Sequence, residues 1–347
     1  MKALLHLLSV SSVLCVLSWE SRSVAAPAQA LYVIVAKDVT GSVHWTKDRT
    51  YVIAGEVHVR AGAHLHIDDG VTILVRNGLI PDAPLLQRAA LLFDSGSELT
   101  AERMRLHAAD AKNQEIARAD NGGLWFLGSS RRAEKDGVSA PSSRSAALSH
   151  FRATRIEASY LGARDPLTQG TDDEESAGRD EDDSRVSVSA NDPDDGPGED
   201  DLDGVSVLGC KAKEWQIQAV ISDHSGDDGF DLTNSTIAFD ELVIKGATED
   251  GLNISSSELT IRVSLQVMMG RSAPGKDREI FDLEVDDGPS FVIMNPSCHV
   301  NIKGYLGDEL KLASQDMPQP EAEFKAIYAF DGQLGAKPSL VLSINQD

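Results

Sequence analysis

Residues 226–255 read GDDGFDLTNSTIAFDELVIKGATEDGLNIS. Two copies of one short pattern lie inside that stretch, Asp228-Gly229-Phe230-Asp231-Leu232 and Asp250-Gly251-Leu252-Asn253-Ile254. A third copy, Asp203-Gly204-Val205-Ser206-Val207, precedes them, so the copies are separated by 25 and then 22 residues. A fixed period of this length is the mark of a repeat architecture, and it matches one turn of a β-helix. Side chains alternate across a strand. Val205, Phe230 and Leu252 therefore stack on the inside with Val207, Leu232 and Ile254, while Ser206, Asp231 and Asn253 point out. Parallel stacking keeps the inner residues continuously buried, which suits their apolar composition.

The same organisation extends upstream. Residues 50–75, TYVIAGEVHVRAGAHLHIDDGVTILV, hold four short runs: Tyr51–Ile53, Val57–Val59, Leu65–Ile67 and Val71–Ile73. Each is bounded by Gly or Asp-Gly, and the strands are too short and the turns too tight for ordinary hairpins. They read as sides of a coil, with Gly at corners that need a positive φ. Leu91–Phe93, Met104–Leu106, Leu124–Leu127 and Phe151–Ile156 continue the series. Residues 129–147 read as a loop leaving the coil, and 277–347 as further turns and a cap over an otherwise open edge. The expected fold is all-β, a single-stranded right-handed parallel β-helix over residues 31–347.

Two segments do not belong to the coil. Residues 1–30 begin with Lys2, run apolar to Leu17 and offer small residues near Val24–Ala30. That is the pattern of a secretory signal peptide, removed on export. Leu14 stands before Cys15 where a lipobox wants a small residue, so lipidation is not expected. Residues 171–203 hold fifteen Asp or Glu against two Arg and almost no large apolar side chain. Such a stretch cannot bury enough surface to offset its ordering entropy. It reads as an acidic loop, disordered or loaded with Ca2+, inserted between turns.

The formal net charge of −23 repels phosphates and so excludes nucleic acid as the partner. No later segment reaches the roughly 18 apolar residues of a transmembrane span. The two cysteines outside the leader, Cys210 and Cys298, are candidates for one disulfide in an exported protein.

Four stretches resemble a group of bacterial exported β-helix proteins in the pectin-lyase-like superfamily, mostly of unassigned function. They are Gly62–Ile73, Asn121–Gly128, Phe151–Glu157 and Ser225–Asp231, spread over about residues 50–260 in the order that group uses. The acidic insert ahead of the Asp-Gly repeats is similar to that group as well. The resemblance implies the fold and says little about chemistry.

Catalysis has one sharp form. A polygalacturonase-like hydrolase needs carboxylates from adjacent turns, one to protonate the leaving oxygen and others to activate water. Asp203, Asp227 and Asp228 would supply them by stacking. The family pattern then requires a Gly-His turn, an Arg-x-Lys and a Cys after the Asp pair. This chain has Glu249-Asp250-Gly251 in place of the first, nothing in register for the second, and Gly229 for the third. A polysaccharide lyase would need a basic residue such as Arg152 or Arg155 beside Ca2+, yet an exposed cross-strand ion pair explains both arginines. No other cofactor is required by the sequence. Ca2+ itself would suit Asp227, Asp228, Asp231, Glu249 and Asp250, or Asp68 and Asp69, because hard cations take clustered oxygens. His58, His64 and His66 fall on outward positions, where two His at i and i+2 share a face, so a transition-metal site there is geometrically open.

Two functions follow. The first is a non-catalytic periplasmic, surface or secreted protein that binds carbohydrate or another cell-surface component, or serves structurally. The second is a polysaccharide-degrading enzyme centred on Asp203, Asp227 and Asp228.

Overall fold

The computed structural model describes residues 31–78, 88–130, 147–163, 202–269, 278–285, 288–306, 310–312, 328–335 and 340–344. The expected leader with Cys15, residues 131–146 of the expected loop and residues 171–201 of the acidic stretch lie outside the described residues. Among the described residues there is no helix, and none therefore that is long and apolar enough to cross a membrane.

The strands form two sheets. Seven four-residue strands pair in parallel, each with its successor: Glu56–Val59, Ala90–Phe93, Leu124–Leu127, Val205–Leu208, Phe230–Thr233, Leu252–Ser255 and Phe281–Glu284. Between visits to this short-strand sheet the chain crosses to a second one. Its central strands, Glu98–Ala109, His150–Ser159, Trp215–Asp223, Thr236–Lys245 and Glu258–Met268, are also parallel neighbours. A chain that alternates between two parallel sheets, one strand further along each time, has the pairing pattern of a β-solenoid.

Each long strand is two sides of the coil in one. His64–Ile67 and Val71–Arg76 are separate strands, yet both pair with Glu98–Ala109, its first four residues with one and its last six with the other. The alternation of buried and exposed residues breaks at the exposed pair Glu102-Arg103, and again at Arg262-Val263. The long strand bends there, where the earlier turn has its Asp68–Gly70 corner.

Glycine serves two purposes. Gly62 and Gly70 have φ of 76° and 77° with open space around them, as expected for corners. The Asp-Gly glycines are different, because Gly204, Gly229 and Gly251 do not have a positive φ. They are needed for close approach. A Cβ on Gly229 would lie 2.3 Å from Ile244 Cγ2 and 2.6 Å from the Gly251 carbonyl oxygen. Gly229→Ala is expected to cost about 1–3 kcal/mol, because a packed interior resists one added methyl. A urea melt of the variant that superimposes on wild type would show that the coil gives way at this point.

The interior follows the repeat. Val205, Phe230, Leu252, Val207, Leu232 and Ile254 are all fully buried, and Phe230↔Leu252 and Leu232↔Ile254 are register partners. An aromatic column runs through the middle turns. Phe126 stacks on Phe93 at 5.1 Å and meets Phe151 at 5.1 Å and Trp215 at 5.3 Å, while Phe239 meets Trp215 at 5.6 Å and Phe230 at 5.4 Å. At one corner buried hydroxyls satisfy the backbone: Ser235 Oγ accepts from the Cys210 N–H, Ser257 Oγ from Ser235, and Ser290 Oγ from Ser257.

That ladder also corrects the disulfide. Cys210 and Cys298 are both buried free thiols. Cys210 sits three rungs from Ser290, about 14 Å along the coil axis at the spacing of paired strands. Cys298 is on the same turn as Ser290, since Phe291–Met294 and His299–Gly304 both pair with Glu258–Met268, and a disulfide needs Cα atoms within about 7 Å. Burial raises both thiols, Cys298 to about 11, which keeps them protonated and unreactive.

The C-terminal end is covered by a change of direction. Phe291–Met294 pairs antiparallel with Leu340–Ile344, and His299–Gly304 antiparallel with Tyr328–Gln333. Elsewhere the coil is stitched where the described chain is interrupted. The Ala163 N–H donates to the Leu202 carbonyl at 2.7 Å, so the two flanks of 164–201 are hydrogen-bonded neighbours.

Candidate functional site

The carboxylates named from the sequence line one corner. Gly204, Gly229 and Gly251 donate their N–H groups to the carbonyls of Asp228, Asp250 and Glu279 respectively, which stacks Asp203, Asp228, Asp250 and Glu279 on successive turns. The corner is closed to solvent. Asp203, Asp227, Asp228, Asp231 and Asp250 are all under 9 % exposed. Their oxygens are engaged with the coil itself. Asp228 Oδ1 accepts the Asp250 N–H at 2.8 Å, and Asp250 Oδ1 accepts that of Glu279. Asp203 Oδ2 accepts from Ser206 Oγ at 3.1 Å, and Asp231 Oδ1 from Thr233 Oγ1 at 3.2 Å. The Asp227 carbonyl accepts from the N–H groups of Thr248 and Glu249.

Stacking acids out of water has an electrostatic result. Burial, followed by the charges of Asp203 and Asp250, holds the Asp228 carboxyl well above the usual range. Burial pushes Asp250 up to about 8, against the lowering effect of the Glu279 N–H, with Asp282, Glu249 and Glu279 adding to the rise. Raised acids are what proton donors need, but a donor must reach its substrate, and these face the neighbouring turn. Of the five carboxylates expected to share Ca2+, Asp227, Asp228, Glu249 and Asp250 lie at the corners of two successive turns and Asp231 within the strand Phe230–Thr233; Glu249 is exposed and the other four are buried.

The expected histidine cluster is rearranged. His58 belongs to the short-strand sheet, away from His64 and His66. Its Nδ1 meets Asp94 at 2.7 Å and its Nε2 meets Glu56 at 2.6 Å, and these two carboxylates raise it to about 9. With both ring nitrogens engaged it has no lone pair for a metal. His66 instead pairs with His44, its register partner one turn earlier. The two lie 22 residues apart, the interval between Asp228 and Asp250, and that spacing was the signal in the sequence.

The open surface lies on the outer face of the first half of the long strands. Register places His44, His66, Thr100, Arg152 and Gln216 in one file across five turns. At about 4.8 Å per strand the file is about 19 Å long. From His66 onward it runs through a shallow groove of about 480 Å3, lined also by Asp68, Asp69, Glu102, Thr154 and Gln218. Arg152 Nε donates to Gln216 Oε1 at 3.0 Å, which holds the guanidinium along the groove floor. Arg103 pairs with Asp69 at 2.7 Å at the rim. Arg155 is absent from the groove and is paired with Glu157 and Glu241, the surface ion-pair role its position suggested.

No protein-family model, curated protein or solved structure matches the chain. What the groove and the acidic corner do has to be read from their own geometry.

Proposed function

We propose that this chain is an exported, non-catalytic right-handed parallel β-helix of pectin-lyase-like type that binds an extended polysaccharide along the file from His66 to Gln216. The observation that carries this reading is the file itself. Its hydrogen-bonding side chains repeat at strand spacing on an open face, so a linear polar chain laid along it meets a donor or acceptor at each turn. The mixture of Arg152, the amides of Gln216 and Gln218, and the acids Asp68 and Glu102 suits hydroxyl-rich ligands better than a highly charged one. The −23 net charge argues in the same direction, against nucleic acid and against anionic polymers without a bridging cation. Right-handedness rests on the general rule for parallel crossovers, which take that hand in about 98 % of cases. Export rests on the leader pattern of residues 1–30, and a surface or periplasmic destination follows from it.

The enzyme reading loses support at the same carboxylates that suggested it, since Asp203, Asp227 and Asp228 are buried, with Asp228 Oδ1 held by the Asp250 N–H and Asp203 Oδ2 by the Ser206 hydroxyl. Binding to a panel of linear polysaccharides by calorimetry, with reducing-end release followed in parallel, tests both. Arg152→Ala combined with Gln216→Ala is expected to weaken binding by about tenfold or more, a loss of at least about 1.4 kcal/mol. Asp227→Asn combined with Asp228→Asn is expected to leave binding unchanged. Chain cleavage that disappears in the latter variant would overturn the non-catalytic reading.

A further inference from the structure

The N-terminal end of the file carries a second chemistry. His44 and His66 sit side by side on adjacent turns, with ring centroids 4.6 Å apart. Asp68 follows His66 by two residues, so it shares that face. His44 Nε2 lies 2.7 Å from Asp68 Oδ1, and His66 Nε2 lies 3.9 Å from the same oxygen. One ligand atom from each residue falls within 4.8 Å of the other two, and among the described residues this is the group of three potential ligands that meets so closely.

We propose that His44, His66 and Asp68 bind a divalent transition-metal ion of the zinc class. Zn2+ takes imidazole nitrogen and carboxylate oxygen at about 2.0–2.2 Å, which puts ligand atoms of one tetrahedron about 3.4 Å apart. The observed separations of 2.7 and 3.9 Å lie on either side of that value. The histidine side chains are 53 % and 45 % exposed, which leaves them room to rotate about a bound ion. The carboxylate is the fixed member. The Asp68 N–H donates to the Trp45 carbonyl at 2.9 Å, and the Lys47 backbone N–H hydrogen-bonds its carboxylate. Two imidazoles with one carboxylate favour zinc, copper or nickel over calcium or magnesium, which take all-oxygen sets. Three protein ligands leave a fourth position for water or a ligand oxygen. The proposal does not depend on the polysaccharide reading, because the metal alone is the probe.

Titration of the full chain with Zn2+ by calorimetry, and with Co2+ by its visible absorption, tests it. Wild type is expected to take up one equivalent at this site. His44→Gln, His66→Gln and Asp68→Asn are each expected to weaken uptake by at least about tenfold and to abolish the four-coordinate Co2+ bands. His64→Gln serves as the control. It removes a ring on the same face that is hydrogen-bonded to Thr100, and it is expected to leave uptake unchanged. No uptake by wild type would overturn the proposal. So would uptake that survives His44→Gln, or uptake that His44→Gln spares and Asp228→Asn removes.

Discussion

Replacing Asp250 with Asn is expected to stabilise the protein at pH 8 and to change little at pH 4. Burial raises the Asp250 carboxyl to about 8, far above the 3.8 it has when exposed. A group whose folded pKa is raised holds its proton in the folded state over a range where the unfolded chain has lost it. Its contribution is complete below about pH 4 and is lost progressively as the pH rises toward 8. The slope is about 1.4 kcal/mol per pH unit for one proton. Asn keeps the oxygen that accepts the Glu279 N–H and removes the ionisation. The gap between variant and wild type should therefore widen by about 2–4 kcal/mol from pH 5 to pH 8, allowing for relaxation and for sharing of protons with Asp228. Urea unfolding at a series of pH values measures it. His58 is also raised, to about 9, and makes wild-type stability fall in the upper part of the range. Only the difference between the two proteins isolates Asp250. Parallel curves would refute the buried-acid assignment. A variant less stable than wild type at pH 8 would mean that the ionised form is the favoured one, as with Ca2+ bound at the corner, and a chelator should then lower the wild-type melting temperature.

Phe126→Ala is expected to cost about 3–5 kcal/mol, the range for removing a buried aromatic from a packed core. Phe126 is fully buried and touches Phe93, Phe151 and Trp215, which belong to three different strands. Its removal opens a void in the middle of the column. In a solenoid each turn is held mainly by its neighbours, so a mid-coil void weakens the union of the turns on either side. Denaturant midpoints should fall accordingly, and an early separate unfolding phase should appear. Val263→Ala, at a position 58 % exposed on the bend, should stay within about 0.5 kcal/mol of wild type. A Phe126→Ala cost below about 1 kcal/mol would show that the aromatic column does not hold the coil together.

The coil was legible because its interior obeys one simple rule. The 22–25-residue recurrence and the period-two alternation placed Val205, Phe230, Leu252 and their partners correctly before any coordinates. Three features were not legible, each for a physical reason. Met104–Leu106 read as a run of its own, whereas it belongs to the longer strand Glu98–Ala109, since a bend without glycine leaves no mark in composition. Ser206 and Asp231 were expected on the outward side, yet they are 0 % and 8 % exposed, because alternation tells which face of a strand a side chain takes and not what lies over that face. His44 escaped notice because its partner is a turn away. Only stacking the sequence at the period of the coil brings it over His66.

The hydrogen bond between Ala163 and Leu202 has a consequence for how such a chain can change. The coil is already closed there, so its strand register does not depend on what is threaded across the junction. The entropy lost in closing a loop grows slowly, by about 0.6 kcal/mol for each doubling of length. Length and charge at that seam are thus nearly decoupled from the stability of the turns on either side. A residue inserted within a strand would slip every side chain beyond it to the opposite face, while dozens inserted at the seam would shift none. The seam is an address at which new sequence can be added without renegotiating the rest.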